Sequence, residues 1–304
     1  MIIIKEVIDS IIEHNKDLFG ENTKYEKVNV GFTNTIYIVN DMYIVKICTN
    51  HDNEKSFEKE INFYKSNIDN KLIPKLYYSN TDKKDIPYYY EIIEKVEGVS
   101  VYNIWHTLTE EQREEIIKQL CGAMKQFHSN IGGYYNWSKK ISDSFIEYFN
   151  KAKSLRLLNN AEIELLNKAY SKFDELLKSD EFVLVHNDLH FDNIFYNNGK
   201  IKLIDFERSL YAPKDFELGI IFRMVKRPWK YATEENEQYT KEEDYKNIMS
   251  YIEKYYPELI HIDNLYKRLA IYDIIYYLRP YVRNPKYVED KEDALNAAKI
   301  VVEE

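Results

Sequence analysis

One segment of the chain concentrates oxygen-bearing side chains at the ends of short apolar runs. It reads VLVHNDLHFDNIFYNNGKIKLIDFE and spans residues 183–207. Asp188 follows the first apolar run, Asn193 comes five positions later, and Asp205 ends the run KLID. A carboxylate can orient a hydroxyl group and accept its proton, and carboxylate and carboxamide oxygens are ligands that Mg²⁺ prefers. These residue types at this spacing predict proton abstraction from a hydroxyl group close to a divalent metal ion.

The turn that precedes KLID indicates how Asn193 and Asp205 are brought together. Residues 197–200 read NNGK, which is a typical signal for a tight hairpin. Antiparallel pairing of NIFY with KLID would place the two side chains next to each other, where both could bind one ion. For any single residue, a capped turn in an ordinary hairpin is an equally good interpretation. The three residues together, at these spacings, favour a site.

A lone positive charge stands out in the first hundred residues. Lys46 is the only charge in the apolar run MYIVKI, and an ammonium group is costly there unless it has a partner. The apolar stripe of residues 53–68 predicts a helix that could supply one. Glu60 lies just beside this stripe and Glu54 flanks its other side, so the residues alone leave both open as the counter-charge.

The elements that must position these residues change in type near residue 97. Before it, alternating and β-branched runs predict strands, with helices at residues 4–14 and 53–68; after it, helical periodicity dominates. We therefore predict an α+β chain with an N-terminal lobe, 1–97, of antiparallel sheet plus one helix, and a mostly helical C-terminal lobe, 98–304. The strands are expected at 27–30, 35–39, 42–47, 75–79 and 88–98, and the later helices at 109–128, 142–154, 160–179, 241–256 and 263–282.

Composition excludes several classes of protein. The 304 residues are 44% hydrophobic, enough for a substantial core, and the net charge is −9, which argues against binding to a phosphate backbone. The two cysteines lack the spacing of metal ligands, no stretch is apolar enough to span a membrane, and the first residues lack the order of a signal peptide. We expect a cytoplasmic protein whose partners are neither nucleic acids nor membranes.

The motifs together resemble those of a known superfamily. The order HND, four residues, Asn193 and later DFE is similar to the catalytic and metal-binding loops of protein-kinase-like proteins. Specifically it resembles the aminoglycoside phosphotransferase family and its relatives, the choline and ethanolamine kinases. The resemblance implies a protein-kinase-like bilobal fold, with Asp188 as catalytic base, Asn193 and Asp205 as Mg²⁺ ligands and His186 as a structural residue of the loop.

The same resemblance assigns the N-terminal residues to a nucleotide, ATP or GTP. It implies that Lys46 reaches the phosphates and that Glu60, by its distance from Pro74, holds Lys46, with Glu54 as the second choice. Further candidates lie in the turn NVGFTNTIY and in the connector IIEKVEG. They are Gly31, Thr33 and Asn34 near the phosphates, and the main chain of Glu94 and Val96 at the base.

One motif departs from the family pattern. The family usually follows its metal-binding Asp with an Asp-Pro pair and, two residues later, Asp-Leu, whereas this chain reads PKDFELG over residues 213–219. Either Glu217 or Asp215 must take the place of that second acid. The departure affects local packing rather than the expected chemistry.

The resemblance implies a small-molecule acceptor that carries a hydroxyl group, and two kinds are compatible with the C-terminal third. Acidic residues would suit the several ammonium groups of an aminoglycoside-type antibiotic, whereas aromatic residues in 227–232 and 272–281 would suit a choline-type cation. Four nearby cations, at positions 223, 226, 227 and 230, complicate the first idea. The acids are Glu234, Glu235, Glu237, Glu242, Glu243, Asp244, Glu289, Asp290, Glu292 and Asp293.

We therefore expect an enzyme, an ATP- or GTP- and Mg²⁺-dependent phosphotransferase that moves the γ-phosphate to a small-molecule hydroxyl group. An aminoglycoside acceptor, and with it antibiotic resistance, is the first expectation. The alternatives are a kinase for a metabolite such as choline, ethanolamine or homoserine, and a spore-coat-type kinase-like protein. A catalytically silent nucleotide-binding protein comes last, because Lys46, Asp188, Asn193 and Asp205 are all present.

Overall fold

The structure is a computed structural model that describes residues 4–28, 34–178, 181–231 and 234–303. Its strands are β1 Tyr25–Val28, β2 Thr35–Val39, β3 Tyr43–Cys48, β4 Leu76–Asn80, β5 Tyr89–Glu94, β6 Val99–Ser100, β7 Val183–Val185, β8 Ile194–Asn197, β9 Lys200–Leu203 and β10 Leu210–Ala212. Its helices up to residue 176 are α1 Ile4–His14, α2 Lys16–Phe19, α3 Glu54–Ser66, α4 Val101–Ile104, α5 Glu110–His128, α6 Trp137–Ser154, α7 Asn160–Tyr170 and α8 Phe173–Leu176. The later helices are α9 Leu218–Lys226, α10 Glu234–Glu237, α11 Ile248–Tyr255, α12 Pro257–Ile260, α13 Leu265–Arg283 and α14 Val288–Val302.

The chain forms two compact units, and the first of them is discontinuous in sequence. The first unit comprises Met1–Trp105 and Phe191–Ser209, and the second comprises His106–His190 and Leu210–Glu304. The first unit therefore extends eight residues beyond the predicted boundary at residue 97 and also takes in the later hairpin. The reason is backbone pairing, since β6 pairs with β8 and ties the hairpin to the first unit.

The first unit is built on a five-stranded antiparallel sheet in the order β1-β2-β3-β5-β4. The link between β2 and β3 contains Asn40 and Asp41, which both have positive φ angles, 53° and 56°. This link is three residues long, from Asn40 to Met42, and Asn and Asp tolerate a positive φ angle better than most residues. The predicted N-terminal antiparallel sheet is thus confirmed.

The sheet has two covered faces with different contents. On one face, alternate residues of β3 and β5 pack with α1 in an apolar core that includes Val45, Ile92 and Ile8. On the other face, Cys48 packs with Phe57 and Ile61 of α3. Because side chains of a strand alternate between faces, Lys46 lies on the α3 side.

A second, three-stranded sheet carries the hairpin of the first unit, in the order β6-β8-β9. Asn198 and Gly199 form its turn with φ angles of 48° and 79°, and Ile194 pairs with Leu203. This is the predicted hairpin, and its register places Asn193 and Ile204 at the open end. The main-chain N–H of Ile204 donates to the carbonyl oxygen of Asn193 at 3.0 Å.

The second unit is mostly helical, as predicted, with a short antiparallel pair formed by β7 and β10. Thr109 caps α5 through a reciprocal capping box with Gln112, which explains why the helix begins at residue 110. The helix predicted at 142–154 begins earlier, at Trp137, after the Asn136 cap, and the one predicted at 160–179 divides into α7 and α8. Helices α9 and α14 were not predicted. Within the described residues, no helix is long and apolar enough to cross a membrane.

Candidate active site

The ammonium group of Lys46 is the centre of a buried charged cluster in the first unit. Lys46 Nζ donates to Glu60 Oε2 at 2.6 Å, and Glu60 on α3 is completely buried. The hydroxyl group of Tyr64, one turn along the same helix, donates to the other Glu60 oxygen at 3.4 Å. Glu54 instead pairs with Lys83, so the structure contains the Lys46–Glu60 pair that the sequence analysis preferred.

Asp205 completes this cluster from the hairpin. It directly follows the residue that is bonded to Asn193, has a φ angle of 66°, and places Oδ1 3.7 Å from Lys46 Nζ. Its side chain is 37% exposed, whereas that of Lys46 is only 9% exposed. The half-open carboxylate can therefore bind a ligand from solvent while it keeps its contact with the buried cation.

Oxygen donors gather around Asp205. One oxygen each of Glu60, Asp205 and Glu207 lie within 4.8 Å of one another. Asn193 is buried in the same hairpin, and its carbonyl oxygen accepts the N–H of Ile204, the residue before Asp205. Carboxylate and carboxamide oxygens are the donor set that suits a hard cation such as Mg²⁺, so the residues present fit that ion.

The predicted phosphate-covering turn is described only in part. Gly31 and Thr33 lie outside the described residues. Asn34 is described, and its amide nitrogen donates to Glu207 Oε2 at 3.5 Å. This contact brings the predicted turn residue to the edge of the same group of carboxylates.

The charges of the cluster act on each other strongly. Burial lowers the pKa of Lys46, but the carboxylates of Glu60, Asp205 and Glu91 together raise it, and the net shift is upward. Burial raises the pKa of Glu60, and Lys46 opposes that rise. Burial and the charge of Glu60 raise the pKa of Glu91 well above its usual range. Lys46 therefore stays charged, among more carboxyl groups than it can neutralise.

The connector after β5 is held by main-chain hydrogen bonds. The N–H of Glu94 donates to the carbonyl oxygen of Lys75 at 2.8 Å, and the N–H of Lys95 donates to that of Met42 at 2.9 Å. The carboxylate of Glu94 pairs with Lys202 at 2.5 Å, and Val96 is partly buried. The side chain of Glu94 is thus already engaged within the protein, and the expected contact of Glu94 and Val96 with a base, through the main chain, stays a prediction.

In the second unit, a buried carboxylate holds the loop that carries Asp188. Glu217 accepts the main-chain N–H of His186 at 2.7 Å and that of Asn187 at 2.8 Å. Asn187 has a φ angle of 63°, a left-handed conformation that Asn tolerates better than most residues. The loop is therefore fixed at the two residues before Asp188, and Asp188 itself is 9% exposed.

The two acids that could stand in for the missing family residue make different contacts. Glu217 bonds the loop that carries Asp188, whereas Asp215 is bonded to Arg268 at 2.7 Å and to the Tyr272 hydroxyl group at 2.9 Å. Burial alone would raise the pKa of Glu217, but hydrogen bonding and the charges of His128 and His186 lower it overall. His128 Nε2 lies 3.7 Å from the carboxylate.

The residues around Asp188 come from segments that the sequence indicated, but their contacts with one another were not predicted. His190 Nε2 lies 3.9 Å from Asp188 Oδ2, and its ring lies 6.1 Å from that of Tyr231. Tyr231 is in turn hydrogen-bonded to Arg223, whose guanidinium stacks on Tyr276 at 3.9 Å. A chain of polar and aromatic contacts thus leads from Asp188 into the helices of the second unit.

The acidic residues expected to face a polycation are in part engaged with cations of the chain. Of the ten, four that lie in or near α14 and α11 make ion pairs that the sequence did not reveal, and a fifth pairs with a neighbour on its own segment. The pairs are Asp293 with Arg227, Asp290 and Glu289 with Lys230, Asp244 with Arg113, and Glu243 with Lys246. The side chains of Glu234 and Glu235 lie outside the described part. Tyr272, one of the expected cage residues, is buried against Asp215.

Comparison with known proteins identifies the fold. No curated protein sequence matches the chain. The ADP-bound aminoglycoside phosphotransferase APH(2'')-Ib superposes with a TM-score of 0.71 at 16% identity, covering 99% of this chain and 100% of that one. The GDP and kanamycin complex of APH(2'')-IIIa gives 0.67 at 15% identity, with 97% and 98% covered. Choline kinase from Cryptosporidium parvum Iowa II gives 0.54 at 16% identity, with 98% and 93% covered.

These likenesses confirm the protein-kinase-like α+β fold predicted from the motifs. A family profile described as the phosphotransferase enzyme family matches residues 24–248, which is well over half of the chain. The match includes Lys46, Glu60, Asp188, Asn193 and Asp205, and it confirms the predicted enzyme class, a small-molecule kinase. The chain belongs to the phosphotransferase enzyme family.

Proposed function

We propose that this enzyme transfers the γ-phosphoryl group of ATP or GTP to a hydroxyl group of a small molecule. The observation that carries the proposal is the buried Lys46 with Glu60 at 2.6 Å and the half-open Asp205 at 3.7 Å. In kinases, a lysine held by a helical glutamate orients the phosphates, and an aspartate binds the metal ion. Lys46, Glu60 and Asp205 have the residue types, the burial and the spacing for these functions.

On the donor side, Lys46 would contact the α- and β-phosphates, while Glu60 holds its ammonium group in place. Asp205 and Asn193 would hold Mg²⁺, which when bound supplies positive charge to the phosphate oxygens. Gly31, Thr33 and Asn34 would approach the phosphates. The main chain of Glu94 and Val96 would bind the base, which leaves the choice between ATP and GTP to backbone groups.

On the acceptor side, Asp188 would orient the hydroxyl group and accept its proton. The acceptor oxygen then bonds to the γ-phosphorus, the bond from that phosphorus to the bridging oxygen breaks, and a nucleoside diphosphate leaves. Glu217 keeps the Asp188 loop in one conformation through its two main-chain hydrogen bonds. A fixed base serves the reaction because most of the catalytic gain in phosphoryl transfer comes from positioning and electrostatics.

An aminoglycoside-type antibiotic is the leading acceptor. The structural likeness to two aminoglycoside phosphotransferases, one of them bound to kanamycin, supports it. A net charge of −9 suits a polycationic substrate. The reaction would take place in the cytoplasm, where nucleoside triphosphates and Mg²⁺ are available, and it would confer antibiotic resistance.

A smaller acceptor is the second candidate, and one observation favours it. The carboxylates Asp273, Asp290 and Asp293 are already paired with cations of the chain. The contacts that lead away from Asp188 run through His190 and Tyr231. These residues leave less unpaired negative charge than the binding of a polycation would need. A metabolite such as choline, ethanolamine or homoserine would fit it.

A nucleotide-consumption assay tests the proposal. Purified enzyme with Mg²⁺ and either ATP or GTP is mixed with kanamycin, gentamicin, streptomycin, choline, ethanolamine or homoserine, and release of diphosphate is followed. Acceptor-dependent release that disappears in Asp188→Asn supports phosphoryl transfer, and the active acceptor distinguishes the two classes. Nucleotide binding without acceptor-dependent turnover for any hydroxyl compound would contradict the proposal and indicate a silent nucleotide-binding protein.

A further inference from the structure

A third carboxylate faces Lys46, and the sequence analysis did not single it out. Glu91 lies on β5 directly opposite Lys46 in the antiparallel register of β3 and β5. Opposite residues of antiparallel strands project from the same face of the sheet. Glu91 Oε1 accordingly lies 3.9 Å from Lys46 Nζ.

The surroundings of Glu91 contain no group other than Lys46 that would favour a carboxyl group at this position, among the residues that the structure describes. Its side chain is completely buried, and neither carboxylate oxygen has a hydrogen-bond partner among the residues that the structure describes. Burying a carboxyl group in this way is costly, so such positions are usually apolar. Its only ion pair in the described part of the chain is the one with Lys46.

Glu60 and Glu91 approach Lys46 from elements that are attached differently. Glu60 belongs to α3, which rests on the sheet through side-chain packing of Phe57 and Ile61. Glu91 belongs to a strand that is hydrogen-bonded to the strand of Lys46 itself. The position of Glu91 relative to Lys46 is therefore set by the sheet and does not depend on the placement of α3.

We propose that Glu91 is a positioning residue for Lys46, and that it acts as a second anchor beside Glu60. The ammonium group is held from the helix side by Glu60 and from the sheet side by Glu91. With both anchors, the ammonium group of Lys46 stays directed at the phosphates even when Asp205 binds a cation. This inference rests on the proposed function of Lys46, and it predicts that each anchor partly compensates for the loss of the other.

The kinetic test uses isosteric variants that replace a carboxyl group by a carboxamide and keep volume: Glu60→Gln, Glu91→Gln and the double variant. We expect each single change to lower kcat/KM for the nucleotide by about three- to tenfold, and the double change to lower it by more than the product of the two. The KM for the acceptor should stay unchanged in all three. Glu58→Gln, an exposed change on the same helix, is the matched control.

Two kinetic results would overturn the proposal. One is a double variant no worse than Glu60→Gln alone, because Glu91 would then contribute nothing to the position of Lys46. The other is a Glu91→Gln variant that changes the melting temperature but not kcat/KM for the nucleotide, because Glu91 would then be purely structural.

A stability cycle tests the same contact without any activity measurement. Lys46→Met removes the cation and leaves Glu91 buried without a partner, so we expect a lower melting temperature. Adding Glu91→Gln should raise the melting temperature of Lys46→Met more than it raises that of the wild type. Equal shifts in both backgrounds, or failure of the double variant to fold, would overturn the pairing. Coupling with no detectable phosphoryl transfer would instead refute the proposed function and leave the pairing in place.

Discussion

Two buried carboxylate sites of this enzyme differ in how their charge is satisfied. In the first unit, Lys46 faces Glu60, Glu91 and Asp205, so carboxyl groups outnumber the cation. In the second unit, the single carboxylate of Glu217 accepts two main-chain N–H groups and lies close to His128. In one site carboxyl groups outnumber the cation, and in the other the carboxylate is matched to its donors.

The pKa shifts of the two sites express this difference. The pKa of Glu91 is raised by burial and by the charge of Glu60, whereas the pKa of Glu217 is lowered although it is equally buried. Burial is common to both, so the partners decide the direction. An excess of carboxylates suits a place that receives a cation with its nucleotide, and a fully bonded carboxylate suits a place that must keep a loop still.

The largest effect should come from Asp188, the proposed base, whose loop the matched site holds. Asp188→Asn should lower kcat by roughly 10²–10⁴, because general-base catalysis is lost, while nucleotide affinity stays within a few-fold. Steady-state kinetics and a nucleotide-binding titration measure the two quantities, with the exposed Asp143→Asn as control. Near-normal turnover would show that the loop held by Glu217 does not carry the chemistry.

The next effect concerns the cation expected at the site where carboxyl groups outnumber Lys46. Asp205→Ala should weaken Mg²⁺-dependent nucleotide binding by about 10–100-fold, and Asn193→Ala by less, because a carboxylate brings charge and a carboxamide only a dipole. Titration of Mg²⁺ against bound nucleotide measures both. Equal and small effects would mean that the metal ion binds elsewhere, and that the excess of carboxylates needs another explanation.

A smaller effect is expected when the matched carboxylate is removed. Glu217→Ala leaves the buried N–H groups of His186 and Asn187 without an acceptor, at a cost of about 1–3 kcal/mol for each group. Denaturant unfolding should show the loss of stability, and kcat should fall as the Asp188 loop loosens. Glu217→Gln keeps an acceptor oxygen and should lose less of both. If Ala and Gln behave alike, the hydrogen bonds to the loop are not what Glu217 contributes.

The smallest effect is on acid stability. The pKa of Glu217 is lower in the folded chain than its unfolded value of about 4.3. The unfolded state therefore binds more protons in this window. The stabilisation that Glu217 provides is present above that pH and is lost as the pH falls through the folded pKa. Unfolding free energies measured from pH 6 to pH 3 should fall less steeply in Glu217→Gln than in the wild type. Parallel curves would show that Glu217 does not titrate differently in the two states.

Local sequence patterns predicted much of the cluster around Lys46 and of the hairpin that carries Asn193 and Asp205. The NNGK turn sets the register of its hairpin, so the proximity of Asn193 and Asp205 follows from sequence. Lys46 was identifiable as the one charge in an apolar strand. The apolar stripe of α3 narrowed its partner to Glu60 or Glu54, and the family spacing selected Glu60.

Other features depend on pairing between segments far apart in the chain. The run YYYEIIEKV contains Glu91 as a lone acid in an apolar strand, the same signal that identified Lys46. Recognising it required knowing that β5 lies next to β3, although β4 and α3 separate them in sequence. The ion pairs of Arg223 with Asp273 and of Arg227 with Asp293 join residues 50 and 66 positions apart. The sequence therefore did not reveal that these carboxylates are paired with cations.

The sequence by itself determined the α+β architecture, because strand alternation and helical periodicity are local properties. Its motifs also gave the enzyme class through their resemblance to a family, and they named Lys46, Glu60, Asp188, Asn193 and Asp205 as the candidate set. Only the tertiary structure decided that Glu217 rather than Asp215 holds the loop that carries Asp188. The tertiary structure also placed Glu91 beside Lys46. It paired with cations half of the ten acidic residues that were expected to face the acceptor. Sheet order and helix packing bring such residues together, and a side chain's charge does not reveal which distant partner will neutralise it.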